Sequence, residues 1–256
     1  MIPNPPGSPL RRAQLRMLEM LSYVHEICQQ LGIEYQINSG NVLGAVRHGG
    51  FIPWDNDMDI MLDMPNYRRL RDYLLAHPTD RYELQTCDTD PLFFNHWCKL
   101  RDLHSEYQKP GLAHNRRRYR GLQIDIFPFE AGTSKTLHIL ASKIHGTLER
   151  KVLEKGHIRT ARCGFWILRR MLVPLFRIAN RFGDRNTFTH TYGVPWHTRY
   201  PKSVLFPPSP IEFEGKTFFG PANPHEYLRL AYGDDYMTPP PPADRHLPYT
   251  VAILDD

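Results

Sequence analysis

Between residues 10 and 31 the apolar positions Leu15, Leu18, Met20, Leu21, Val24, Ile27 and Leu31 recur near the 3.6-residue period of a helix. The Pro-rich residues 1–9 ahead of them read as disordered. Residues 34–38 read as a strand, leading into a glycine-containing turn and a short helix over 42–47. The pattern then switches to alternation over 57–63. Met58, Ile60, Leu62 and Met64 fall on one side of an extended chain, and Asp55, Asp57 and Asp59 on the other. A helix over 65–75 follows, with Pro65 in its first turn. Residues 92–101 and 121–127 read as two more strands, separated by a loop that contains Gln108-Lys109-Pro110-Gly111 and the arginines after it. From 134 to 182 the pattern is helical, and Pro174 predicts a kink. The remainder is Pro-rich, with a hairpin over 212–218, a helical turn over 226–230 and an extended run over 239–242. No repeat and no long linker divides the chain. It reads as one α/β (α+β) domain over 1–256: a mixed sheet flanked by helices (core 32–130), a helical insertion (134–182) and a Pro-rich C-terminal segment (200–256).

The alternating carboxylates carry the chemistry. Like charges at that spacing repel unless a cation sits among them, and a hard divalent ion is the natural cation for oxygen ligands. Such an ion neutralises phosphates and polarises phosphorus. A calcium-binding helix–loop–helix loop begins in the same way, but it needs Gly at its sixth position and Glu at its twelfth. Here Ile60 and Asn66 stand there. Upstream, Ser39-Gly40-Asn41 opens a helix whose first N–H groups suit a phosphate, and Arg47 adds a cation. Downstream, Asp125 interrupts the apolar run Leu122, Ile124, Ile126. A carboxylate there faces water on an edge strand, or joins the first group around a metal. Lys99 neutralises a donor phosphate, or is an ordinary surface lysine of a strand.

Composition narrows the partners. Lys and Arg exceed Asp and Glu by 32 to 27, and a pI near 9.0 suits an anionic ligand. Apart from Arg116-Arg117-Arg118 and Arg120 the basic residues are scattered, which argues against nucleic acid. The four cysteines (28, 87, 98 and 163) show neither metal-ligand spacing nor a disulfide framework. The histidines lack zinc-ligand spacing. There is no apolar signal core at the start and no eighteen-residue apolar run, so the chain reads as cytoplasmic. Residues 162–182 mix Phe165, Trp166, Leu172, Leu175 and Phe176 with Arg162, Arg169, Arg170, Arg177 and Arg181. We read the apolar side of this helix as packing on the core, with a peripheral place at the inner face of a membrane as the alternative.

The run from Ser39 to Ile60, SGNVLGAVRHGGFIPWDNDMDI, resembles the signature of the LicD family, which includes bacterial phosphorylcholine transferases, fukutin and fukutin-related protein. Cys98-Lys99-Leu100-Arg101-Asp102, Ile124-Asp125-Ile126-Phe127-Pro128 and the segment from Tyr227 to Met237 fit the same pattern. The similarity runs through roughly residues 15–246. It implies a nucleotidyltransferase-like core and a magnesium-dependent (or manganese-dependent) transfer from a CDP-linked donor to a hydroxyl of a glycan or its lipid-linked precursor, with release of CMP. By motif, Asp57, Asp59 and Asp125 hold metal, and Asp125 is the candidate to take the hydroxyl proton. Ser39, Gly40, Asn41, Arg47 and Lys99 bind the donor, and Asp55 orients the ligands. Asn41 stands where the family usually has Thr, and Asn56 where another Asp is common. Two other classes compete: a nucleotidyltransferase that adds NMP from an NTP to a small molecule, and a non-catalytic binding protein on the same core. The transferred group, the acceptor and the oligomeric state stay open at this level.

Overall fold

The computed structural model describes residues 4–108, 116–241, 243, 245 and 250–253. Helix α1 (Pro9–Leu31) buries Ala13, Met17, Met20, Leu21, Val24 and Cys28 along one stripe. It ends where Gly32 takes a left-handed φ of 58°, which closes the last turn onto Cys28 and Gln29 carbonyls. Asn4–Ser8, expected to be disordered, instead starts this helix. Ser8 caps the Arg11 N–H, and Asn4 donates to Gln14 at 2.7 Å. Strand β1 (Gln36–Ile37), helix α2 (Ser39–His48), strand β2 (Asp59–Asp63) and helix α3 (Met64–Ala76) follow. Then come β3 (Tyr82–Gln85), β4 (Cys98–Asp102), β5 (Ser105–Gln108) and β6 (Gln123–Ala131).

The main sheet runs β1-β2-β6-β4-β3, so β6 is central. β2 lies parallel to β6, and the other neighbours are antiparallel. The chain reaches β6 from β2 by a crossover containing α3, as a parallel pair requires. The far edge of β6 is shared end to end by β4 and by β7 (Thr187–His190), which in turn pairs with β8 (Tyr200–Pro201). Met58, Ile60, Leu62, Leu100, Leu122, Ile124 and Ile126 all enter one large core with the inner face of α1.

Several expected boundaries move: the strand over 34–38 shortens to Gln36–Ile37, and the helix over 42–47 extends to Ser39–His48. The alternating strand begins at Asp59 rather than 57, the strand expected over 92–101 begins at Cys98, and that expected over 121–127 runs on to Ala131. β3 carries Leu84 on a short polar stretch and was not anticipated. The insertion holds α4 (Lys135–Thr147), α5 (Ile158–Ile167) and α6 (Val173–Ala179), with π-helical turns at Leu148–Leu153 and Leu168–Leu172. Pro174 sits in the first turn of α6, immediately after the second π turn. The widened turn accommodates a residue that has no N–H to donate.

A short helix, α7 (Lys202–Leu205), leads to a hairpin of β9 (Ser209–Phe213) and β10 (Lys216–Gly220), then to helix α8 (Pro224–Tyr232). Glu214 and Gly215 turn the hairpin with φ of 53° and 72°, the geometry that joins two twisted strands in two residues. Strand β11 (Thr250–Ile253) pairs with β5. Pro242, His246 and the Lys109–Pro110–Gly111 part of the expected loop lie outside the described residues.

Candidate active site

Strand register builds the first part of the site. Asp59 is the Cα partner of Asp125 across the parallel pair, and Lys99 is its partner across the antiparallel one. Residues in register share a face, so Lys99, Asp125 and Asp59 form one row over three strands. Lys99 Nζ donates to Asp125 Oδ2 at 2.7 Å and forms an ion pair with Oδ1 at 2.6 Å. Trp97 Nε1 donates to Oδ1 at 2.7 Å and Gln123 Nε2 to Oδ2 at 3.0 Å. Both single-residue alternatives fall here: Asp125 is not on an edge, and Lys99 is a buried cation rather than a surface lysine. Burial lowers the Lys99 pKa, and the charge of Asp125 partly restores it. A carboxylate has about four lone-pair sites, and these three donors occupy most of them.

Asp55 and Asp57 lie not on the strand but on the loop that leads into it. Burial and then the Asp57 charge push the Asp55 pKa to about 7. Asp59 is raised well above its ordinary value, first by burial and then by Asp125, Asp57 and Asp55. Four carboxylates thus lie within electrostatic reach of one another, and Lys99 offsets part of their repulsion.

The loop is held from three directions. The Asn41 amide donates to the Asp57 carbonyl at 3.2 Å and accepts the Asp59 N–H at 2.7 Å. Expected to touch the donor, Asn41 is buried and spends both ends of its amide on this backbone, so it positions the carboxylates instead. From α1, buried Gln14 donates to the carbonyls of Ile52 and Asp55 at 3.2 and 2.8 Å. From the hairpin, Glu214 accepts the Phe51 N–H at 3.0 Å, and Arg11 donates to it at 2.8 and 2.5 Å. Gly40 has a physical reason to lack a side chain: a Cβ there would stand 2.8 Å from Asp55 Oδ2.

The start of α2 is more occupied than expected. Ser39 adopts a left-handed φ of 49°, and its N–H donates to Tyr227 Oη at 3.0 Å. Tyr227, buried on α8, donates in turn to Asn38 Oδ1 at 2.6 Å. The Asn41 N–H bonds the Asn38 carbonyl at 3.0 Å. Two of the first N–H groups are thus engaged. Arg47 donates to His48 Nε2 and to the Tyr236 carbonyl, both at 3.0 Å. Burial lowers its pKa, and the nearby charge of Arg245 lowers it further. Arg245 itself lies over the Trp54 ring at 4.2 Å.

Sequence reasoning missed Gln14, Trp97, Glu214 and Tyr227. Gln14 leaves a faint trace, as an amide one turn before Met17 and Leu18 on the apolar side of α1. Tyr227 opens the late segment that fits the family pattern, though without a role, and Trp97 and Glu214 leave no trace because their partners are distant in the chain.

The donor set is all hard oxygen, and the mutual upward push on Asp59 is what a cation would relieve, so the residues fit a hard divalent ion. Among the described residues, no three His, Cys, Asp or Glu side chains gather as a ready-made metal cage. Magnesium does not ask for one. It is commonly held by one or two carboxylates, with substrate phosphates and water completing the shell.

Residues 32–154 match the family described as LicD/FKTN/FKRP, nucleotidyltransferase domain. The chain is 25% identical over 263 residues to lipopolysaccharide cholinephosphotransferase LicD of Haemophilus influenzae, an alignment spanning 92% of this chain and 94% of that protein. It is 39% identical over 56 residues to human ribitol 5-phosphate transferase FKRP, covering 21% of this chain and 11% of that protein. An uncharacterized protein of Rickettsia prowazekii is 46% identical over 46 residues, 18% of this chain and 17% of its own.

Proposed function

The chain belongs to the LicD family, and from that premise we propose that it moves a phospho-substituent, of the phosphocholine or phospho-alditol type, from a CDP-linked donor to a glycan hydroxyl. It is an enzyme, a phosphotransferase acting on glycans. The row of Lys99, Asp125 and Asp59, with Asp57 and Asp55 on the adjoining loop, is the observation that carries the reading. The CDP-linked donor is anionic, and positioning with charge neutralisation supplies most of the barrier reduction in this chemistry.

Asp57 and Asp59 would hold Mg2+ or Mn2+, which supplies charge neutralisation on the donor phosphates and polarises phosphorus. Asp125, expected as a third ligand, has its oxygens engaged and instead fixes Lys99 beside the other carboxylates. Asn41, Gln14 and Glu214 keep the loop in place. Gly40 and Arg47 would bind the donor phosphates, and Ser39 is held by Tyr227. The acceptor hydroxyl attacks phosphorus and releases its proton to solvent, the bond to CMP breaks, and a phosphodiester forms. The acceptor is a cell-surface glycan or its lipid-linked precursor.

A screen of CDP-linked donors with magnesium, read by CMP release, tests this directly. CMP release dependent on an added glycan is the expected result. Pyrophosphate release from a nucleoside triphosphate would replace this reading with NMP transfer, and no turnover with any donor would favour a binding protein.

A further inference from the structure

The segment from Ile158 to Phe182 packs only part of its circumference. Ala161, Phe165, Leu168 and Val173 enter two small clusters. Away from them, Ile167, Met171, Leu175, Ile178 and Phe182 follow one another every third or fourth residue, a single stripe on a helical surface. Trp166 is 57% exposed, Leu175 59% and Phe182 88%. A helix serving only the core would turn this stripe inward. A contiguous apolar stripe left open beside charged residues marks an interaction surface.

The neighbouring charges decide what covers it. Arg162, Arg170, Arg181 and Arg185 are exposed, and among the described residues no carboxylate pairs with them. Arg169 and Arg177 do have acids, Asp88 at 3.7 Å and Glu130 at 2.8 Å. Arg169, Arg170, Arg177, Arg181 and Arg185 line two adjoining clefts of ≈ 510 and ≈ 620 Å³ that share Met64, Arg68 and Arg177. A symmetric contact between two copies would set these cations against each other. An anionic lipid surface accepts the stripe and the arginines together. No helix among the described residues is long and apolar enough to cross a membrane, so the contact is one that lies on it.

We propose that residues 158–182 form a membrane-surface helix, with Ile167, Met171, Leu175, Ile178 and Phe182 entering the headgroup boundary of an anionic bilayer and Arg170, Arg181 and Arg185 binding lipid phosphates. The assignment does not depend on the transfer reaction.

Sedimentation of the full chain with vesicles tests it, using phosphatidylcholine alone and an equimolar mixture with phosphatidylglycerol. Wild type binds the mixture and not phosphatidylcholine alone, and salt releases it. Leu175→Asp/Phe182→Asp and Arg170→Glu/Arg181→Glu each lower binding about tenfold or more. Their thermal midpoints stay unchanged because the side chains are exposed. If the aspartates lower the midpoint, Leu175→Ser/Phe182→Ser takes their place. Failure of wild type to sediment at low salt, or binding by either variant equal to that of wild type, overturns the proposal. So does equal binding to phosphatidylcholine alone, or a wild-type dimer in sedimentation velocity that Leu175→Asp/Phe182→Asp dissociates.

Discussion

Asp59 and Asp125 are register partners, yet they keep different company, and substitution should separate them. Asp57→Asn and Asp59→Asn each remove an anion from a group whose repulsion Lys99 offsets only in part. Both should fold and lose at least about a hundredfold in turnover, measured by CMP release beside a thermal melt. Asp125→Asn instead leaves Lys99 buried without its partner, a change that costs about 3–5 kcal/mol. Urea unfolding should show that loss, and equal stability of all three variants would contradict the division of roles. Asp125 was legible in the sequence because a lone carboxylate in an apolar run needs a partner. Which partner was not legible: Lys99 reaches it only through strand order, which no local pattern records.

At the scale of elements, the carboxylate loop depends on α1, α2 and the β9–β10 hairpin together. Glu214 makes this dependence sensitive to pH. Its hydrogen bond from Arg11, above all, holds its pKa below the ordinary 4.5. A depressed folded value means that the stabilisation is complete above about 4.5 and fades as pH falls through the lower folded pKa. The melting difference between wild type and Glu214→Gln should therefore be steady near neutrality and shrink by a few degrees in acid. A difference independent of pH would remove the ion pair as its cause. Gly44 is a second joint. A Cβ there would meet the Gly50 carbonyl oxygen at 2.3 Å, so Gly44→Ala should cost about 1–3 kcal/mol in urea unfolding. The helices were legible from their period, but the glycine turn expected before the short helix is the first turn of α2 itself. The loop's anchors were not: Gln14 acts across 38 and 41 residues, and Glu214 reaches Arg11 across 203.

Across the whole molecule, the apolar interior is unequally shared. One large cluster joins the sheet, α1 and the C-terminal hairpin, whereas the insertion rests on two small ones. Amide hydrogen exchange should therefore open 148–179 well before β2 and β6, and equal protection in both would contradict this partition. The mixed α/β character was legible from the alternation of periods, but the order of the strands was not. Lys99 has one more consequence at this scale. Because the chain folds around its own resident cation, folding need not wait on the divalent ion proposed for this site, which would come and go without the protein passing through an unfolded state. Lys99→Met should abolish that independence: its melting temperature should climb with added magnesium far more steeply than that of wild type.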